Sequence, residues 1–349
     1  GALFDSRLGR TGPDGSGVWR FRELVHPLAT APVSRGEGNT NLYSHEDVAG
    51  FAGIRKLLLK HDGENPTGSF KDRGVAVAVT EALRLGAPGV CAASTGNGSS
   101  SLASYAALAR LPCEVFVPRG GVSPAKLAQV SAYRALVVEV DGSFDDAMRA
   151  AEEHASRTGV FLLNPPSPWR LEGYKSAAFE LFQQLRWGEV DWIALPAGNL
   201  GNAAGIGKGL DEARRIGLIS SVPRLLLVQA EGAAPFYRMW RERRESPEPE
   251  KSPKTIASAI SVGRPTAWRQ ARRALLRCGG DVEAVSDSEI LEAKRVIDGA
   301  GIGCEPAAAA SLAGVRKCVA DGRIGRDERV VCILTGHLLK DVGANGAGP

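Results

Sequence analysis

From about residue 55 onward the chain alternates short apolar runs with longer stretches of helical period, the pattern of a parallel sheet whose strands are joined by crossover helices. The runs "GVCAAS" (89–94), "CEVFVP" (113–118), "ALVVEV" (135–140), "WIALPA" (192–197), "RLLLVQA" (224–230) and "RVVCILT" (329–335) predict strands. Helices fill most of the gaps. "SFDDAMRAAEEHASRTG" predicts one that starts after Ser143 as N-cap, with acids in its first turn, and stops near Gly159. The segment "RERRESPEPEKSPKT" (241–255) is Pro-rich with dense charge of both signs, and it predicts a surface loop. Arg269, Arg272, Arg273 and Arg277 recur at helical spacing and predict one solvated basic face.

At 349 residues the chain exceeds ordinary single-domain size, so the expected class is α/β with two lobes, residues 20–185 and 186–345, each built on a mostly parallel twisted sheet. The composition, 44% hydrophobic and 23% charged, is that of a folded domain, and no apolar run is long enough to cross a bilayer. The opening "GALFDSRLGRTGPDG" shows no leader pattern, which argues against secretion. Six cysteines stand apart without a C-x-x-C pair, so neither a zinc site nor a redox motif is expected, and reduced, buried thiols in a cytoplasmic protein are. A net charge of +4 is too slight for nucleic-acid binding and suits a small anionic substrate.

Four stretches could carry chemistry. After the strand at 89–94 comes "STGNGSSSLASYAALA", whose small hydroxyls, glycines and helix N-terminus would seat a carboxylate or phosphate, with Ser94 and Asn97 able to bond a ring hydroxyl. After 192–197 comes "PAGNLGNAAGIGKG", in which Gly198, Gly201 and Gly205 let backbone approach an anion, and the asparagines tolerate the left-handed geometry of an N–H nest. Its spacing fits neither the dinucleotide fingerprint nor the P-loop, so one compact phosphate is the expected guest. "HDGENPTGSFKDRG" (61–74) sets Lys71 at a helix start behind a turn. A lysine accompanied by two anion-binding turns could form a Schiff base with an aldehyde carrying one phosphate, which is pyridoxal 5'-phosphate. Thr335, in "LTGHLLKD", sits at the carboxyl tip of its strand, where ligands of open α/β sheets collect; His337 reads as a structural residue.

Together "ENPTGSFKDRG", "STGNGSSSLASYAA", "LPAGNLGNAAGIGKG", "GCEPAAAASLAG" and "LTGHLLKD", with "RGEGNTNLYS" (35–44), resemble the threonine synthases, within the tryptophan-synthase-β-like class of pyridoxal phosphate enzymes, over roughly residues 30 to 342. The resemblance implies that Lys71 carries the cofactor, in a cleft between the lobes, with Phe70 and Asp72 framing it. It also implies that Asn97 bonds the ring 3'-oxygen, that Gly198, Asn199, Leu200, Gly201 and Asn202 hold the cofactor phosphate, and that Thr335 meets the pyridine nitrogen. For a substrate it implies the carboxylate on Ser94 and Thr95 and the phosphate on Asn164 and Arg170, with Lys71 moving the protons. A surface ion pair of Arg170 with Glu172 or a neighbour is the plain structural alternative. A homodimer, and closure of the segment between Val75 and Leu163, are further expectations.

The sequence departs from the family pattern around the substrate. Gly98 stands for Thr, Pro165 for Ser, Ser167 for Asn, Tyr174 for Gln, Ser176 for Thr, Arg264 for Asn, Asn41 for Pro and Leu338 for Gly. A specialised β- or γ-replacement or elimination on an activated amino acid is therefore the rival reading. A scaffold that binds without catalysis is the alternative from another class.

Overall fold

The computed structural model describes residues 1–120, 124–165 and 167–341, so residues 342–345 of the expected second lobe and 121–123 of the expected closing segment lie outside the described residues. Among the described residues ten strands occur in chain order: β1 Leu42–Tyr43, β2 Lys56–His61, β3 Val90–Ala93, β4 Cys113–Pro118, β5 Leu136–Val140, β6 Phe161–Leu162, β7 Trp192–Pro196, β8 Arg224–Ala230, β9 Asp281–Val285 and β10 Arg329–Leu334. All six strands read from the sequence are present, with β1, β2, β6 and β9 added. The chain divides into two compact units. One comprises Gly1, 40–64 and 177–349, the other 2–39 and 65–176, whereas the sequence reading placed the boundary at 185/186 and assigned 40–64 to the first lobe.

The first of these units contains a six-stranded sheet in the order β1-β2-β10-β7-β8-β9, parallel except for β1. Helix Pro306–Ala320 lies against it. Its run of four alanines is buried, and a Cβ at Gly314 would stand 2.4 Å from Val228, so small residues set how close this helix comes to the sheet. Strand β2 is buried despite its lysine: Lys60 is fully enclosed and bonds the Glu180 carboxylate at 2.5 Å, Gln184 at 2.8 Å and the Thr40 carbonyl. Such a pair is tolerated in a core because every partner is satisfied.

The other unit holds a wholly parallel four-stranded sheet, β5-β4-β3-β6. The two-residue period of β4 is visible in its packing: Phe116 joins Cys91, Ala93, Ala147 and Ala151 on one face, while Val115 and Val117 join Ala103 and Val130 on the other. The helix read after Ser143 runs from Phe144 to Thr158. Ser143 and Asp146 form a capping box and Gly159 closes it in the left-handed conformation. The α/β class with two mostly parallel, helix-flanked sheets is thus as the sequence predicts.

Residues 242–257 form neither helix nor strand, and Arg269, Arg272, Arg273 and Arg277 are exposed along helix Trp268–Cys278. Among the described residues no helix is long and apolar enough to cross a membrane. None of the six cysteines is paired. Burial pushes the Cys91, Cys113, Cys318 and Cys332 thiols up to about 12 and raises Cys278 and Cys304 as well. Because the thiolate is the nucleophile, native protein at pH 8 is expected to react only slowly with a disulfide reagent, and all six thiols to react once guanidinium unfolds it. Fast reaction of the native protein would contradict this burial.

His337 follows β10, and its ring lies 6.0 Å from that of His61 at the end of β2. Burial, then the positive charge of His61, lowers its pKa below the ordinary 6.5. Between that lowered value and 6.5 the unfolded chain binds more protons, so this residue makes stability rise with pH across that window. His337→Asn is expected to flatten the slope in urea melts taken from pH 5 to 7.

Candidate active site

Lys71 is the first residue of helix Lys71–Arg84, and the turn in front of it is tied down by the next residue. The wholly buried Asp72 carboxylate accepts the Thr67 N–H at 2.7 Å, the Thr67 hydroxyl at 2.5 Å and, from helix Asn97–Leu108, the Ser101 hydroxyl at 2.6 Å. Burial raises the pKa of Asp72, against the pull of these bonds. Gly68 reverses the chain at φ +88°, which a residue with a side chain adopts only under strain. The turn chemistry therefore fixes where the helix begins and where Lys71 departs from it. The Lys71 Nζ lies 4.4 Å from the centre of the Phe70 ring, which is itself 5.0 Å from the ring of Tyr174.

In the same unit β3 ends at Ala93, and Ser94, Thr95, Gly96, Asn97 and Gly98 form a half-buried turn into helix Asn97–Leu108. The Ser94 hydroxyl accepts the Ser99 N–H at 3.1 Å, so that side chain partly caps the helix. Asn164 reaches back to this strand: its carboxamide oxygen accepts the Ala93 N–H at 2.8 Å, while its buried Nδ2 has no hydrogen-bond partner among the described residues. Arg170 is buried and makes no pair with Glu172, which meets Lys175 instead. Its Nη1 donates to the Leu163 carbonyl at 2.9 Å, and its Nε and Nη2 donate to the Tyr174 hydroxyl at 3.0 and 2.7 Å.

The other unit carries the second turn, after β7. Gly198 is required by packing, since a Cβ there would lie 3.0 Å from Ile260 Cα and 3.2 Å from the Ala259 carbonyl oxygen. Asn199 turns its side-chain oxygen to the Thr266 N–H and hydroxyl at 2.6 and 2.8 Å, and so holds a neighbouring loop. The left-handed residue is Leu200, at φ +66°, and neither an asparagine nor a glycine. That conformation costs a branched residue about 1–2 kcal/mol, the kind of local strain that persists where a site is built. Helix Gly201–Arg215 starts there, and its first N–H groups have no intrahelical acceptor. Asn202 is buried, and neither of its side-chain polar atoms has a partner among the described residues. A bare helix N-terminus beside an orphaned carboxamide fits a phosphate. Thr335 is buried directly beyond β10, which lies between β2 and β7.

The sequence reading groups Phe70, Lys71, Asn97, Gly198–Asn202 and Thr335 around the cofactor and Ser94, Thr95, Asn164 and Arg170 around the substrate; Phe70, Lys71, Ser94, Thr95, Asn97, Asn164 and Arg170 lie in one unit, and Gly198–Asn202 and Thr335 lie in the other. It missed the roles of Thr67 and Ser101 as donors to Asp72 and of Tyr174 as partner of Arg170. Only the spacing of Tyr174, four residues after Arg170, could have signalled the latter.

Among known proteins, the family model for pyridoxal-phosphate dependent enzymes matches residues 33–336. The threonine synthase of Methanosarcina acetivorans is 46% identical over 325 residues, covering 93% of this chain and 80% of that protein. That of Methanocaldococcus jannaschii is 45% identical, covering 93% and 81%. That of Mycobacterium bovis is 42% identical, covering 89% and 84%. Among solved structures, maize serine racemase superposes with a TM-score of 0.77 at 21% identity over 92% of each chain. The processed form of threonine deaminase isoform 2 from Solanum lycopersicum does so with 0.74 at 22% identity over 88% of each chain. The curated matches reach beyond the shared fold, and the chain belongs to the pyridoxal-phosphate dependent enzymes and, within them, to the threonine synthases.

Proposed function

We propose that the chain converts O-phosphohomoserine and water to threonine and inorganic phosphate. The similarity to threonine synthases supports the reaction. The observation that carries its placement is Lys71 clamped at a helix start, in a unit that also offers an orphaned Asn164 amide and a buried Arg170. When bound, pyridoxal phosphate supplies an electron sink for the charge left on carbon when a proton departs. Lys71 would hold the cofactor aldehyde, and the helix N-terminus at Gly201 with Asn202 would hold its phosphate.

The remaining tasks belong to side chains of this chain. The amine of Lys71 takes a proton from Cα and one from Cβ, the latter needed before phosphate can leave Cγ, and returns protons to Cγ and Cα later in the sequence, a role that needs a short reach and a neutral nitrogen at each abstraction. The Phe70 ring face lies against that nitrogen, its centre 4.4 Å away, in a cation–π contact. The turn from Ser94 to Gly98 offers N–H groups to the substrate carboxylate. Arg170 and Asn164 hold the phosphate that leaves from Cγ, and a guanidinium does this in both its esterified and its free form.

Assaying threonine and phosphate together in the presence of the cofactor tests this reading. Equal amounts of both are expected, whereas phosphate without threonine would favour a replacement or elimination of another kind. Lys71→Ala is expected to abolish turnover and the visible absorption band. Asn202→Ala is expected to weaken uptake of the cofactor roughly tenfold, as judged by titration of apoprotein, since one bond to a charged group is worth about 1.5–3 kcal/mol.

A further inference from the structure

Arg170 and Tyr174 stand four residues apart on the short helix Pro168–Tyr174, so their side chains share one face. The contact between them is unusual in its geometry. Both the Nε and the Nη2 of Arg170 converge on one phenol oxygen, at 3.0 and 2.7 Å, while Nη1 is held by the Leu163 carbonyl at 2.9 Å. Three of the guanidinium's five N–H donors are thereby committed to the protein. One whole edge of the planar group is closed, and only the end that carries the remaining Nη protons can meet an anion. Leu163 is the residue before Asn164, whose buried Nδ2 lacks a partner among the described residues.

Tyr174 cannot drift from this position. It is 3% exposed, and its ring packs 5.0 Å from Phe70. Two glycines bring helix Lys71–Arg84 against it at backbone range: a Cβ at Gly74 would lie 2.5 Å from the Tyr174 ring and 2.8 Å from the Arg170 carbonyl oxygen, and a Cβ at Gly173 would lie 2.0 Å from the Arg73 carbonyl oxygen. The phenol is thus a fixed strut, held by packing that has no need of its hydroxyl.

We propose that Tyr174 is a positioning residue for substrate: its hydroxyl holds the Arg170 guanidinium end-on toward the phosphate of the substrate and so sets the affinity for that group. This inference rests on the reading that Arg170 receives the phosphate. Without the hydroxyl, the guanidinium has two unrestrained N–H donors and several rotamers to choose from, and ordering it falls on the binding step.

The test uses the cofactor-loaded enzyme, in which the cofactor's own phosphate already fills its place, and inorganic phosphate as the probe. Tyr174→Phe keeps the ring and removes only the oxygen. It is expected to raise the calorimetric Kd for inorganic phosphate, and the KM for O-phosphohomoserine, by about tenfold, with a smaller fall in kcat. An unchanged Kd overturns the inference. Arg170→Met separates the two levels: if it binds phosphate as tightly as the unaltered enzyme, Arg170 does not receive the phosphate and the functional reading of that residue fails. If Arg170→Met loses affinity and Tyr174→Phe does not, the role of Tyr174 alone is wrong. Should Tyr174→Phe fail to fold, Tyr174→Gln and Tyr174→Met make a pair of similar length that differs in the acceptor oxygen. Tighter phosphate binding by the Gln variant supports the inference, and equal binding overturns it.

Discussion

The buried carboxylate of Asp72 is the constraint on which the lysine's placement depends. It gathers two donors from Thr67 and one from Ser101, which ties the loop before the helix to the helix after β3. Without an acceptor there, the Thr67 N–H and two hydroxyls would be left unsatisfied in the interior, and the loop would gain by opening to water. Burial and hydrogen bonding pull the pKa of this carboxyl in opposite directions. The clamp is thus maintained by geometry, with all its donors convergent, more than by any single strong contact.

In the other unit the proposed phosphate cradle relies on a different device. Leu200 is held left-handed at the head of a long helix, and Asn199 is occupied with the loop at Thr266. Leu200 is the residue before helix Gly201–Arg215, and Asn202 in the first turn has no side-chain partner among the described residues. A protein that keeps a buried carboxamide unpaired and a leucine strained, in a segment where both could be relieved by substitution, is organised for a ligand more than for stability. The pyridoxal phosphate family assignment supplies the ligand that this arrangement suits.

Much of this was legible in the sequence where the physics is local. Strands buried on both faces appear as unbroken apolar runs, the helix at 144–158 has its cap and its stop written in the residues around it, and the turns rich in Gly, Ser and Asn lead from strands into helices as their composition suggests. What was missed is tertiary. Strand β2, "KLLLKH", conceals a core strand because Lys60 is neutralised by Glu180, far along the chain. Strand β9, "DVEAV", hides in the same way: Glu283 is buried with Arg241 and Arg323 as its partners. The residue that took the left-handed conformation was a leucine between two asparagine–glycine signals, where propensity names either neighbour first. The division of the chain, in which 40–64 joins 177–349, follows from pairing of β2 with β10, a contact no local pattern encodes.

The central claim, that Asp72 holds Lys71 where it can carry the cofactor, is tested most directly by trapping. Protein loaded with pyridoxal phosphate is reduced with borohydride, digested, and the share of Lys71 bearing the reduced pyridoxyl group is read by peptide mass spectrometry, for the unaltered chain and for Asp72→Ala shown by circular dichroism to be folded. The account predicts nearly complete labelling of Lys71 in the former and a several-fold loss at that residue in the latter. Equal labelling of Lys71 in both would contradict it.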